Sequence, residues 1–158
     1  MLSSRIGGEI KAFYSNDKIY FGTDIYVIKL QNPALYHTIV CCLNSELLNY
    51  FSQVKLRKRI DNALSRLDSS DLEKIPVPKK FNNVIIEQLD SLSKGIINGD
   101  YSFEEKKDEI NNLVFELYEL DYIEKQRISD FFMSENQKVT KKYLKTIATH
   151  FPEHLNNG

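Results

Sequence analysis

From residue 33 onward the apolar residues recur every three or four positions, and this periodicity constrains the fold more than any other feature of the chain. Tyr36, Val40, Leu43 and Leu47 form one stripe, widened by Leu35, Ile39 and Cys42. Ile85, Leu89, Leu92 and Ile96 form a second, and Ile110, Leu113, Leu117 and Leu120 a third. Such spacing places the side chains on one helix face, and each face needs another to bury it. A chain of 158 residues is the size of one domain, or of one small domain with a helical appendage, and is long enough to close a core.

The helix punctuation agrees. Asn32 is placed to cap a helix with Pro33 at its first position, where the missing N–H costs nothing. That helix is expected to reach about Phe51, with Asn44-Ser45 as the place for a break. Asn98-Gly99 stops the second helix, and Ser102 with Glu105 has capping-box spacing for the third. Asp121 with Glu124 restarts or bends it toward Ile128, Phe131 and Phe132. A last helix, about 137–149, has Val139, Tyr143 and Ile147 on one face and Lys138, Lys141, Lys142 and Lys145 on the other.

The first thirty residues read differently. Residues 9–14 and 18–21 flank the turn residues Ser15-Asn16-Asp17, a hairpin pattern, and the β-branched run 25–30 reads as a central strand. Leu72, Ile75 and Val77 alternate with Pro76 and Pro78, which suits an edge strand or an extended exit. The fold class expected is α+β: a small antiparallel sheet packed on the 33–51 helix, followed by a helical hairpin over 82–133 and a terminal helix. The divisions expected are 1–80, 81–135 and 136–158.

Charge is distributed unevenly. Residues 1–80 hold 12 Lys and Arg against 8 Asp and Glu, a net of +4, whereas 81–158 hold 9 against 14, a net of −5. Within the second half, 81–135 carry 5 basic and 13 acidic residues, a net of −8. A polyanion would therefore meet the first half or the last helix. No apolar run approaches the roughly 20 residues that span a bilayer, and the start lacks an apolar signal core. The two cysteines, Cys41 and Cys42, are adjacent, an arrangement that rarely forms a structural disulfide. A reducing, cytoplasmic location is expected.

Motifs for chemistry are weak. His150 and His154 have a helical metal-pair spacing, but Pro152 interrupts it, and no metal site is expected. Cys41 and Cys42 would point about 100° apart on a helix, which suits core packing rather than chelation. Gly7-Gly8 precedes a strand rather than a helix, so it is no phosphate loop. No serine sits in a Gly-x-Ser-x-Gly turn. Asn32-Pro33-Ala34-Leu35 lacks the second proline and the aromatic of an adenine methyltransferase loop. No catalytic residue is assigned. What remains is a binding surface. Lys11, Tyr14, Asn16, Lys18 and Tyr20 crowd the expected hairpin, and Lys55, Arg57, Lys58 and Arg59 put four cations in five positions. Ribbons of this kind enter the DNA major groove, with cations on phosphates and polar side chains on base edges.

Leu43-Asn44-Ser45 followed by Glu46-Leu47-Leu48-Asn49-Tyr50-Phe51 resembles the C-terminal specificity domain of adenine-specific DNA methyltransferases. Type IIG restriction–modification enzymes are the nearer relatives in this resemblance, and the specificity subunits of type I systems the more distant. Tyr26-Val27-Ile28-Lys29 is similar to the family's preceding strand. Leu72-Glu73-Lys74-Ile75-Pro76-Val77-Pro78 resembles its L-x-x-I-P-[IV]-P exit. Residues 110–120 resemble its terminal ID-x-LV-YELYGL helix, with Asn111 for the usual Asp, Phe115 for Tyr and Glu119 for Gly. The Glu119 departure removes a helix stop, so the helix is expected to run on there. The resemblance spans about residues 5–133.

It implies a target recognition domain that grips double-stranded DNA; the residue types of the two patches then assign base reading to 11–20 and phosphate contacts to 55–59. The methyltransferase domain would lie upstream in a longer chain, or in the other product of a split gene, and would use S-adenosylmethionine. This chain itself would need no cofactor and would not be an enzyme alone. The alternative is a protein-interaction module built on the helices after Pro78, with no nucleic-acid role. A stand-alone hydrolase is the third reading, and it requires a pocket that brings a histidine to a nucleophile.

Overall fold

The Asn32 side chain accepts the Ala34 N–H at 3.1 Å, and Pro33–Leu35 form the single 3-10 turn that opens the helical part of the chain. In this computed structural model the described residues are 9–23, 25–56, 68–78 and 80–134, with the backbone alone for 2–4. Most of them are helical: α1 (Tyr36–Asn44), α2 (Glu46–Phe51), the short α3 (Ser69–Leu72), α4 (Asn83–Asn98), α5 (Phe103–Leu117) and α6 over 122–134. A π turn, Ser52–Leu56, extends α2.

The break expected at Asn44-Ser45 is present and has a local cause. Ser45 turns extended (ψ 158°), its hydroxyl donates to the Cys42 carbonyl at 2.6 Å, and its Oγ accepts the Leu48 N–H at 3.4 Å. One serine thus ends α1 and caps α2. Further along, Ser102 and Glu105 form the capping box of α5, with the Ser102 N–H on the Glu105 carboxylate at 2.6 Å. Gly99 ends α4 in the left-handed conformation, φ 80°. Gly95, inside α4, lies under the Tyr101 ring, where any Cβ would collide with the phenol.

Among the described residues, strand pairing is confined to three short segments, β1 (Leu2–Ser4), β2 (Ala12–Phe13) and β3 (Ile25–Val27). They pair antiparallel in the order β2-β1-β3, with both Phe13 and Val27 opposite Leu2. The hairpin expected between 9–14 and 18–21 does not form. Residues 18–22 take no strand, and β2 finds its partner in β1. The run 25–30 is likewise not central, since β3 covers only its first three residues and lies at an edge. The 72–78 stretch forms no strand: it leaves α3 through a turn and runs out extended through its prolines.

The chain divides into two compact units, Met1–Leu120 and Asp121–Gly158. Within the first unit, α4 and α5 share the core of α1 and α2. That core joins Val40, Cys42 and Leu43 of α1 and Leu48 of α2 to Ile85 and Leu89 of α4 and Ile110 and Val114 of α5. Leu89, Ile110 and Val114 are fully buried, each worth about 1.5–3 kcal/mol of transfer free energy. Lys107 reaches the Glu46 carboxylate at 3.4 Å across the α5–α2 contact. Buried Asn111 accepts the Glu46 N–H at 2.9 Å, giving the first turn of α2 a partner from α5.

The helix of the first unit does not run on at Glu119. Glu119 takes φ 56°, and Leu120 donates back to the Phe115 carbonyl at 3.0 Å. This is the closure that glycine favours, carried here by glutamate. In the second unit, Asp121 and Glu124 exchange hydrogen bonds of 2.9 and 2.8 Å and start α6 as expected.

Candidate nucleic-acid interface

Apart from β2, residues 9–14 are irregular backbone, and two asparagines hold them. Asn44, the last residue of α1, accepts the Ala12 N–H through Oδ1 at 2.9 Å and donates to the Ala12 carbonyl through Nδ2 at 2.7 Å. Its Nδ2 also meets the Val40 carbonyl at 2.9 Å. Asn49, buried in α2, accepts the Ile10 N–H at 2.5 Å and returns its own amide protons to the Ser45 and Leu43 carbonyls at 3.0 and 3.5 Å. The Leu-Asn-Ser stretch is thus a main-chain clamp. Side-chain amides stand in for a neighbouring strand and satisfy backbone groups that burial would otherwise penalise. Ile10 and Ala12 drop into the core as a result.

The chain leaves the clamp at Tyr14. Its ring stacks on Tyr36 with centroids 5.0 Å apart and meets His37 edge-on, also at 5.0 Å. Its hydroxyl donates to the Asn16 side-chain oxygen. Beyond this anchor, Lys18, Ile19, Tyr20 and Phe21 are exposed, Tyr20 completely.

The expected site residues therefore separate into groups. Lys11, Asn16, Lys18 and Tyr20 are exposed on one tied-down segment, and Lys55 is exposed on the π turn. Tyr14 is half-buried and supports the segment from beneath. Arg57, Lys58 and Arg59 lie outside the described residues, as do His150, His154 and the 137–149 helix.

Three features escaped the sequence reading: the two clamping asparagines, the Tyr14–Tyr36–His37 cluster, and a pair formed by His37 and Ser93. His37 Nδ1 lies 3.0 Å from Ser93 Oγ, and burial lowers the imidazole pKa, with Asp90 opposing and Lys94 adding to the shift. Ser93 and Cys41 line a cavity of about 340 Å³ beneath the 9–14 segment. His37 and Ser93 set a histidine beside a hydroxyl, as the hydrolase reading requires, but His37 is not among the residues that line the cavity and the surroundings do not suit acyl transfer. Ser93 lies inside α4, where backbone N–H groups are committed to the helix, and Asn44 and Asn49 already hold Ala12 and Ile10. Burial pushes the Cys41 and Cys42 thiols up to about 12, so both are poor nucleophiles. Among the described residues no group of three or more metal-ligating side chains comes together, and no helix is long and apolar enough to cross a membrane.

Comparison with protein-family models, curated proteins and solved structures finds no match to this chain.

Proposed function

We propose that this chain recognises double-stranded DNA as the C-terminal part of an adenine-specific methyltransferase or restriction–modification enzyme. The upstream methyltransferase domain would bind S-adenosylmethionine and perform the chemistry. The observation that carries the reading is the pairing of a rigid anchor with an exposed tip. The Asn44 and Asn49 clamps and the Tyr14 cluster fix the base of a segment whose Lys18 and Tyr20 face solvent. A reader needs such placement, because base readout depends on side chains held in register on the duplex. In this reading the three short strands are the small antiparallel sheet beside α1, and the basic run that begins at Lys55 adds phosphate contacts.

In α5 the apolar stripe is buried in the core and the outer face is mainly charged, so this helix presents no open apolar docking face. The interaction alternative rests instead on α4, where Val84 and Ile97 are exposed, and on α6, where Tyr122 and Ile123 are exposed.

The test is duplex binding by fluorescence anisotropy across a salt series. The expected result is weak binding with a steep salt slope, which Lys18→Gln with Lys55→Gln makes shallower by about two. Absence of duplex binding at low salt overturns the reading.

A further inference from the structure

The cavity of about 340 Å³ beneath residues 9–14 lies wholly within the first unit. Its walls are mainly apolar. Ile10 comes from the roof, Val40 from α1, Ile96 from α4 and Phe103 from the first turn of α5. Phe13 and Ile97 also line it and are open to solvent, 46% and 53% exposed, so its mouth lies beside them. Close-packed interiors leave few voids larger than a water molecule. An apolar void shrinks where its walls can relax, and here both walls are held. Asn44 ties the main chain of Ala12 in the roof, and Asn49 that of Ile10. The floor is the packed pair α1 and α4, whose Val40 and Leu89 belong to the common core.

The polar side chains of the lining indicate the ligand. Asn44 and Asn49 are committed to the roof, Ser93 Oγ pairs with His37 Nδ1 at 3.0 Å, and the Cys41 thiol donates to the Leu89 carbonyl at 3.6 Å. A ligand with several polar groups would bury them without partners, and a charged one would lose still more hydration. The charged residues of the lining, Glu9, Lys11 and Glu104, are all exposed, and two carboxylates against one ammonium disfavour an anion there. The space is about twice the roughly 150 Å³ in which an engineered apolar cavity holds one benzene.

We infer that this cavity is a binding site for a small neutral aromatic molecule, with room for more than one ring. A preformed apolar cleft with a few fixed polar groups is the usual form of a small-molecule site. Phe13 and Phe103 offer the ring contacts that favour an aromatic over an aliphatic ligand. The site does not depend on the DNA reading, since none of its six apolar residues named above is assigned to the duplex.

The full chain is titrated with N-phenyl-1-naphthylamine, a neutral dye that brightens in apolar surroundings, and with its anionic analogue 8-anilinonaphthalene-1-sulfonate. Expected are saturable one-to-one binding of the neutral dye and about tenfold weaker binding of the anion. Val40→Phe, which fills the cavity, should weaken the neutral dye about tenfold, and Ile97→Glu at the mouth about fivefold. Circular dichroism checks that each variant is folded. Ile97 is exposed, so its replacement decides the question where Val40→Phe does not fold. Methyl NMR of the complex should show shifts at Ile10, Val40 and Ile96. Shifts confined to Ile19 or Ile123 place the dye on an exposed surface and overturn the site. Equal affinity for the two dyes, an affinity that the folded variants leave unchanged, or no saturable binding overturns it as well.

Discussion

Asn44 holds both polar groups of Ala12: its Oδ1 accepts the Ala12 N–H at 2.9 Å and its Nδ2 donates to the Ala12 carbonyl at 2.7 Å. The two residues are 32 apart in sequence, so this one amide joins the irregular N-terminal stretch to the end of α1. Ala12 is buried, and its main-chain groups would otherwise need water that burial excludes. Replacing Asn44 by Ala should therefore cost about 2–3 kcal/mol, the loss of two hydrogen bonds plus partial desolvation of the orphaned groups. Asn44→Asp keeps the acceptor but loses the donor, and should fall between Ala and the parent. Urea unfolding followed by circular dichroism measures both. An Asn44→Ala midpoint equal to the parent's would remove the clamp from the account of the fold.

The contrast between this clamp and the helices shows what the sequence made legible. The stripes of α4 and α5, the Ser102–Glu105 box and the Asn32 cap are local chemistry, decided within a few residues, and all are present. Residues 18–21 form no return strand because strand pairing is a tertiary choice. β2 took Leu2–Ser4 as its partner, and no property of residues 18–21 signals that competition. Asn44 and Asn49 looked like ordinary polar positions in a helix, and their work appears only once residues 10–12 are beside them. At the candidate site Lys18 and Tyr20 are exposed, whereas Tyr14 joins the aromatic cluster. A tyrosine followed by turn residues is consistent with either place.

Glu119 gives a second measurable consequence. It occupies the left-handed region at φ 56°, where a side chain is strained and glycine is not. The expectation that losing glycine would let the helix continue was wrong for a physical reason: the bonds from Glu119 and Leu120 back to Glu116 and Phe115 close the end regardless of which residue accepts the strain. Glu119→Gly should stabilise the chain by about 0.5–1 kcal/mol, relief of strain being partly offset by a more flexible unfolded chain. Glu119→Val should destabilise it, since β-branching disfavours positive φ further. Thermal unfolding of the three proteins gives the order, and a Gly variant no more stable than the parent would contradict it.

His37 makes stability depend on pH in a predictable direction. Burial holds its pKa below the ordinary 6.5; Asp90 pulls it up in part and Lys94 pushes it down. Between the folded value and 6.5 the unfolded chain binds more protons than the folded one, so stability rises with pH across that interval. The contribution is complete above the unfolded value and is lost as acidification passes down toward the folded one. Carboxylates titrate near the lower end of this range, so a single curve does not isolate the imidazole. The comparison that does is with His37→Gln, whose amide can still reach Ser93 but carries no titrating proton. Urea midpoints taken from about pH 5 to pH 7.5 should fall more steeply on acidification in the parent than in His37→Gln. Because the edge of His37 supports the Tyr14 ring, the near-ultraviolet tyrosine signal of the folded parent should change only on acidification below pH 6.5, as the folded imidazole takes up its proton, and that of His37→Gln should not. Parallel midpoint curves for the two proteins would show that His37 titrates in the folded chain as it does in the unfolded one, and would remove the burial argument for its neutral state.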